Sequence, residues 1–319
     1  MTEMRAVPTG GWRGGIDRWL DRSVVFSFDQ TGFRRHSRHF GPERDRDLAG
    51  MTCLVTGGTR GIGLAAAQAL AERGASSLLW SRNTGRGREA AERIGGEFSS
   101  VDLGDLKAVS RAAWSLQAET LGAVVLNAGS MPRERLLSPQ GSEIMWSSQV
   151  MGHLLLLRIL RRRGLLNSGT RVVWVSSGGM YLQRLDLSDL GCASGYRRHQ
   201  AYANVKRAQV ILSAELARRW PEVVSAAMHP GWVDTEAVRH SMPVFRVLTS
   251  PILRQAPAGA DTIVWLVSSR DAVESGRFWF DRKAVPVHWS ARTRQEPAEV
   301  ARLMEVLFQA TDAFVEEET

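Results

Sequence analysis

Tyr202 and Lys206 stand four residues apart in the stretch AYANVK at 201–206, a spacing that puts a phenol and an ammonium on one face of a helix. A phenol that titrates at about 10 is a poor proton shuttle at neutral pH. An ammonium about 5 Å away, at an effective dielectric of about 20, favours the phenolate by roughly 3 kcal/mol, or about two pKa units. A shift of that size brings the phenol into range for general acid/base work. The choice of Lys is itself informative: of 41 Lys and Arg residues, only Lys107, Lys206 and Lys283 are Lys. A compact ammonium with three rotatable donors can serve several acceptors at once, whereas a guanidinium is broad and planar. Tyr181 and Tyr196 have no Lys four residues on. Ahead of Tyr202, the apolar run RVVWVSS delivers the hydroxyls of Ser176 and Ser177 to its end.

A second constellation lies near residue 56. The run MTCLV leads directly into TGGTRGIG at 56–63 and then into the Ala-rich stretch LAAAQALAERG. Gly57, Gly61 and Gly63 allow a tight turn, a close approach to a pyrophosphate and close helix-on-strand packing, and the free N–H groups of the helix start suit phosphates. Thr56, Thr59, Arg60 and Ile62 complete the expected binding loop. The second apolar run ends at Ser81 and Arg82, with no carboxylate placed to bind a ribose 2′-hydroxyl. Arg82 and Arg60 are suited instead to a 2′-phosphate, so NADP is expected ahead of NAD. Asp102 and Leu103 follow the third run, where the carboxylate can accept from an adenine amino group, and Asn127, Ala128 and Gly129 follow the fourth.

These residues need a scaffold that brings run ends together. Apolar runs near 51–56, 76–81, 97–101, 122–127, 171–176, 223–228 and 277–280 read as strands. Amphipathic stretches near 62–73, 86–94, 105–119, 140–163, 200–219, 258–268 and 298–311 read as helices. The alternation predicts an α/β fold, a Rossmann-like doubly wound parallel sheet of about seven strands with helices on both faces and ligands at the carboxyl ends of the strands. Residues 1–48 read as an extension, partly helical or loop, and 49–319 as a single dinucleotide-binding catalytic domain. Residues 243–257 read as a flexible connection.

Composition sets outer limits. The 44% hydrophobic content supports a full core, and the net charge of +8 comes from Arg scattered among Asp and Glu, so no nucleic-acid partner is expected. Cys53 and Cys192 have no spacing that suggests a metal site or a disulfide framework, and His153 and His229 read as structural histidines. The N-terminus lacks an apolar leader, and VMGHLLLLRIL at 150–160 is too short to span a bilayer, so a cytoplasmic protein is expected. RRHSRHF at 34–40, with the apolar residues before it, has two roles open to it: peripheral contact with a membrane surface, or cover for a substrate cleft.

Taken together, TGGTRGIG, LNAG, the SS pair, YANVK and HPGWVDT at 229–235 resemble the short-chain dehydrogenase/reductase superfamily, from Met51 to beyond Lys283. VSSGGM, GADT and SGRFWFDRK are similar to the branch named dehydrogenase/reductase SDR family member 12. The resemblance implies that Tyr202 is the general acid/base, that Ser177 hydrogen-bonds the substrate oxygen, and that Lys206 lowers the Tyr pKa and holds the nicotinamide ribose. It implies that Pro230, Gly231 and Thr235 line the nicotinamide, and that copies of the chain associate as homo-oligomers. Superfamily members commonly carry an Asn, holding a relay water next to the Lys, where this chain has Gln149. That departure keeps a second function class open: a cofactor-sensing or scaffold protein without turnover. The leading expectation is an enzyme that interconverts a carbonyl and an alcohol on a small, fairly apolar molecule.

Overall fold

Short runs of β-branched and aliphatic residues, buried on both sides, form the inner strands of a central sheet, and Ala- and Leu-rich stretches form helices that cover it. The computed structural model describes residues 24–41, 45–235 and 249–316. The chain opens with α1 (Val24–Phe28) and α2 (Gln30–Ser37). It then alternates through β1 (Thr52–Thr56), α3 (Gly61–Ala71), β2 (Ser76–Ser81), α4 (Thr84–Ile94), β3 (Glu97–Ser100), α5 (Leu106–Ser115) and β4 (Ala123–Leu126). A single turn, α6 (Ile144–Trp146), passes through a π-helical segment, Ser147–Met151, into α7 (Gly152–Arg162). After β5 (Arg171–Val175) come α8 (Arg198–Arg219), β6 (Val224–Met228), α9 (Ala256–Ser268), β7 (Phe278–Phe280), β8 (Lys283–Val285) and α10 (Pro297–Asp312).

The strand order is β3-β2-β1-β4-β5-β6-β7-β8, parallel from β3 through β7. The order reverses beside β1, which leaves a crevice at the carboxyl ends of β1 and β4. The sheet has one strand more than the seven expected. β8 has three residues, none of them buried, and pairs antiparallel with β7 through Asp281 and Arg282, both at positive φ. Such an exposed strand leaves no apolar run to read.

One core joins α5, α7, α8 and α10 to one face of the sheet, around Leu106, Leu155, Val205 and Leu303. A second joins α3, α4 and α9 to the other, around Ala67, Ala90 and Ile263. Polar side chains set the helix starts: Asn83 accepts from Arg86 N at 2.9 Å ahead of α4, and Asp105 accepts from Lys107 N at 3.1 Å ahead of α5. The helix expected over 140–163 is interrupted by its π segment, where the Gly152 N–H bonds back to Ser147 O. Of the connection expected over 243–257, residues 243–248 lie outside the described residues, and Pro257 stands in the first turn of α9.

Residues 26–37 pack onto the same domain. Phe28 is buried, and its carbonyl accepts from Trp232 N at 2.8 Å and from Arg254 Nε at 2.9 Å. His36 Nδ1 lies 2.6 Å from Asp281, which also pairs with the buried Arg254. Residues 1–23 of the extension lie outside the described residues.

Candidate active site

Three polar side chains, one after β5 and two on α8, meet at the carboxyl end of the sheet. Ser177 follows β5, and Tyr202 and Lys206 project from the same face of α8. Ser177 and Tyr202 line the same cleft, and the Lys206 ammonium lies 5.4 Å from the centre of the Tyr202 ring. Ser176 has a different role: its Oγ donates to Lys206 O at 2.8 Å and ties α8 to β5. Lys206 is only 4% exposed, and its Nζ donates to Val175 O and Gln209 Oε1, each at 3.0 Å.

Burial sets the protonation of this pair. It drives the Lys206 pKa down to about 7, and it raises that of Tyr202 above the usual phenol value against the opposing effect of the Ser177 hydroxyl. The net shift at Tyr202 is upward, whereas the spacing from Lys206 predicts a downward one. The desolvation that brings the two groups together also weakens the ammonium charge that was to stabilise the phenolate.

A cleft of about 880 Å³ runs from these residues to the glycine-rich loop. Gly57, Thr59, Arg60, Gly61, Ile62, Arg82, Asp102, Leu103, Asn127, Ala128, Gly129, Gln149, Pro230, Gly231 and Thr235 all line it. Thr56 and Gly63 were expected to bind cofactor but stand behind the lining. Thr56 is fully buried, and its hydroxyl accepts from the N–H groups of Asn127, at 3.0 Å, and Ala128, at 3.1 Å, so it joins β1 to β4. At Gly63 a Cβ would overlap Gly57 O and the Asn127 amide, so this glycine allows helix and loop to close up. Gly57, at φ +65°, would hold a Cβ only 2.8 Å from Ala128 Cα.

The glycine loop, the start of α3 and the cationic Arg60 and Arg82 fit the phosphates of a dinucleotide. Asn83, Arg86, Met131, Ile144, Leu182, His199 and Trp232 also line the cleft. Arg86 was readable in principle, because it lies four residues beyond Arg82. Gln149 turns its Nε2 to Ser130 O at 2.9 Å, and its Oε1 is buried without a hydrogen-bond partner.

His229 is neutral over the ordinary pH range, its pKa held at about 3 by burial. It stacks on Phe280 at 4.1 Å, and its Nδ1 accepts from Gly231 N at 3.4 Å, which orders the Pro230 loop. Among the described residues there is no cluster of three His, Cys, Asp or Glu suited to a metal, and no helix is long and apolar enough to cross a membrane.

A parallel sheet in this order, with a glycine-rich loop after β1 and a Ser, Tyr and Lys at the far end of one cleft, defines an NAD(P)-dependent oxidoreductase of the Rossmann type. The chain belongs to the short-chain dehydrogenase family, whose family model matches residues 51–243. It is 34% identical over 314 residues to dehydrogenase/reductase SDR family member 12 of Homo sapiens, covering 92% of this chain and 99% of that protein. It is 31% identical over 262 residues to retinol dehydrogenase 12 of Homo sapiens, covering 78% and 83%. Among solved structures, a short chain dehydrogenase from Burkholderia cenocepacia in complex with NADP has the same fold, with a TM-score of 0.58 at 24% identity over 73% of this chain and 96% of that one.

Proposed function

We propose that this protein is an NADP(H)-dependent oxidoreductase that interconverts a carbonyl and an alcohol on a fairly apolar substrate, with Tyr202 as general acid in reduction and general base in oxidation. The observation that carries the reading is the single cleft shared by Ser177, Tyr202, Lys206 and the glycine-rich loop. The bound nicotinamide supplies or takes up the hydride. Tyr202 holds its proton at neutral pH, which is the state that reduction requires, and Ser177 is placed to hydrogen-bond the same substrate oxygen. Lys206 holds the ribose side of the cleft. Met131, Ile144, Leu182 and Trp232 give the substrate end an apolar wall, and retinol, in the name of one relative, is an apolar alcohol.

The preference for NADP is supported by Arg60 and Arg82 on the cleft wall, with Ser81 rather than a carboxylate at the end of β2. Following NADPH absorbance with a panel of ketones and aldehydes tests the proposal. Turnover should fall by about 10²-fold or more in Tyr202→Phe, the usual scale of general acid catalysis. Unchanged turnover in that variant removes Tyr202 from the mechanism. Tight NADPH binding with no turnover on any carbonyl favours the non-catalytic, cofactor-sensing reading.

A further inference from the structure

The Lys206 ammonium is held by a side chain that the functional reading does not yet use. Gln209, one turn further along α8, is fully buried; its Oε1 accepts from Lys206 Nζ at 3.0 Å, and its Nε2 donates to the main-chain carbonyl of Gln149 at 2.9 Å. That carbonyl belongs to the π segment and also lies 3.1 Å from His153 Nδ1. His153 Nε2 in turn lies 3.0 Å from Thr56 Oγ1. Burial keeps His153 neutral, with a pKa of about 3. A carbonyl can only accept, so the ring proton sits on Nδ1 and Nε2 accepts from the Thr56 hydroxyl. The same logic fixes the Gln209 amide, whose NH₂ must face Gln149 O and whose oxygen must face the ammonium.

We infer that Gln209 is a positioning residue for the reaction: it fixes the Lys206 ammonium beneath Tyr202 and occupies the place that a relay water would need between Lys206 and the Gln149 carbonyl. The inference rests on the functional reading given above. With one ammonium hydrogen on Val175 O and a second on Gln209 Oε1, the third is left for the cleft. A carboxamide accepts and donates hydrogen bonds but hands on no proton at neutral pH, so the network under α8 is a fixed support and Tyr202 is reprotonated from the cleft side. The π segment is what makes this possible, because it turns the Gln149 carbonyl toward two side-chain donors. The Gln149 side chain takes no part in the support, since its amide donates to Ser130 O on the other side. Among the described residues, the titratable groups facing Lys206 are Tyr202 on its own helix and His153 on α7.

The test uses the scarcity of Lys in the full chain. Lysine labelled at Cε and Nζ gives resonances from Lys107, Lys206 and Lys283 alone, and Lys206→Arg assigns the middle one. The wild-type Lys206 resonance should titrate near 7. In Gln209→Leu, which removes the acceptor, its pKa should fall by about one unit or more, and in Gln209→Glu, which supplies a carboxylate of the same length, it should rise by about one unit or more. Where turnover is measurable, kcat should fall roughly tenfold or more in Gln209→Leu, with NADPH affinity within about threefold of wild type. A Lys206 pKa that is the same in wild type, Gln209→Leu and Gln209→Glu overturns the inference. The titration needs no substrate, so a failure of the oxidoreductase reading leaves this result readable on its own. If Gln209→Leu does not fold, the near-isosteric Gln209→Glu alone decides: a rise supports the inference and an unchanged pKa overturns it.

Discussion

An ammonium and a guanidinium carry the same charge, but at position 206 the geometry accepts only the first. Lys206 is 4% exposed, and its nitrogen sits 3.0 Å from two acceptors, Val175 O and Gln209 Oε1. A guanidinium is wider, and its five donors would need more acceptors than this buried space provides. Lys206→Arg should therefore keep the far-UV circular dichroism of wild type while losing about 10²-fold or more in kcat. Activity within a few-fold of wild type would show that charge alone suffices. The arginines proposed to favour NADP make a parallel case. Arg82 lines the cleft at the end of β2, where a second guanidinium from Arg60 approaches the same region. Arg82→Asp should weaken NADPH binding roughly tenfold or more while leaving NADH binding nearly unchanged, as read by fluorescence titration with each. Equal losses for the two cofactors would remove the 2′-phosphate from the argument.

At the scale of elements, the two short helices ahead of β1 act as a brace on the cleft wall. The Phe28 ring lies 4.5 Å from His229, 5.1 Å from Phe280 and 6.2 Å from Trp232, and its carbonyl holds the Trp232 and Arg254 nitrogens. Phe28→Ala should cost about 3 kcal/mol of stability, the usual scale for emptying a buried aromatic site, whereas the half-exposed Phe26→Ala should stay within about 0.5 kcal/mol, both read from urea midpoints. Similar values for the two would mean that the brace contributes nothing. This element was legible only in part, as a partly helical extension with cover for a cleft among its open roles; its docking was not, because its partners Arg254 and Asp281 lie more than two hundred residues away. Most of the alternating strands and helices were legible, since they bury apolar faces. β8 escaped because its three residues follow β7 after only Asp281 and Arg282 and begin with a Lys, leaving no separate apolar run, and the π segment escaped because a shift of hydrogen-bond register leaves hydrophobic periodicity intact. The site follows the same division. Tyr202, Lys206, Ser177 and the glycine loop are readable from local spacing, whereas Gln209 acts through the backbone carbonyl of Gln149, sixty residues earlier, to which no residue type points.

For the molecule as a whole, the packing of neutral imidazoles inside the fold sets its response to acid. His153 bonds to Thr56 ahead of the glycine loop and His229 to Gly231 in the Pro230 loop, and burial lowers both pKa values to about 3. In the unfolded chain each would titrate at about 6.5. Between those values the unfolded state binds more protons than the folded one, so stability rises with pH across the window and is lost as pH falls from about 6.5 toward about 3. Each histidine contributes a slope of up to about 1.4 kcal/mol per pH unit. Asp281, its pKa held down by Arg254 and His36 against its burial, acts in the same direction below the ordinary carboxylate range. Glu143, raised by burial, opposes it at the lower end of the window. Urea midpoints taken between pH 6.5 and pH 5 keep ordinary carboxylates, which titrate at about 4, outside the range, and comparison of wild type with a His153 variant cancels the contributions of Lys206 and Glu143. His153→Gln should reduce the slope of stability against pH there by about 1 kcal/mol per unit, whatever it does to stability at pH 7. A slope identical to wild type would mean that His153 takes up its proton in the folded state, and the neutral tautomer that links Thr56 to the Gln149 carbonyl would then be lost.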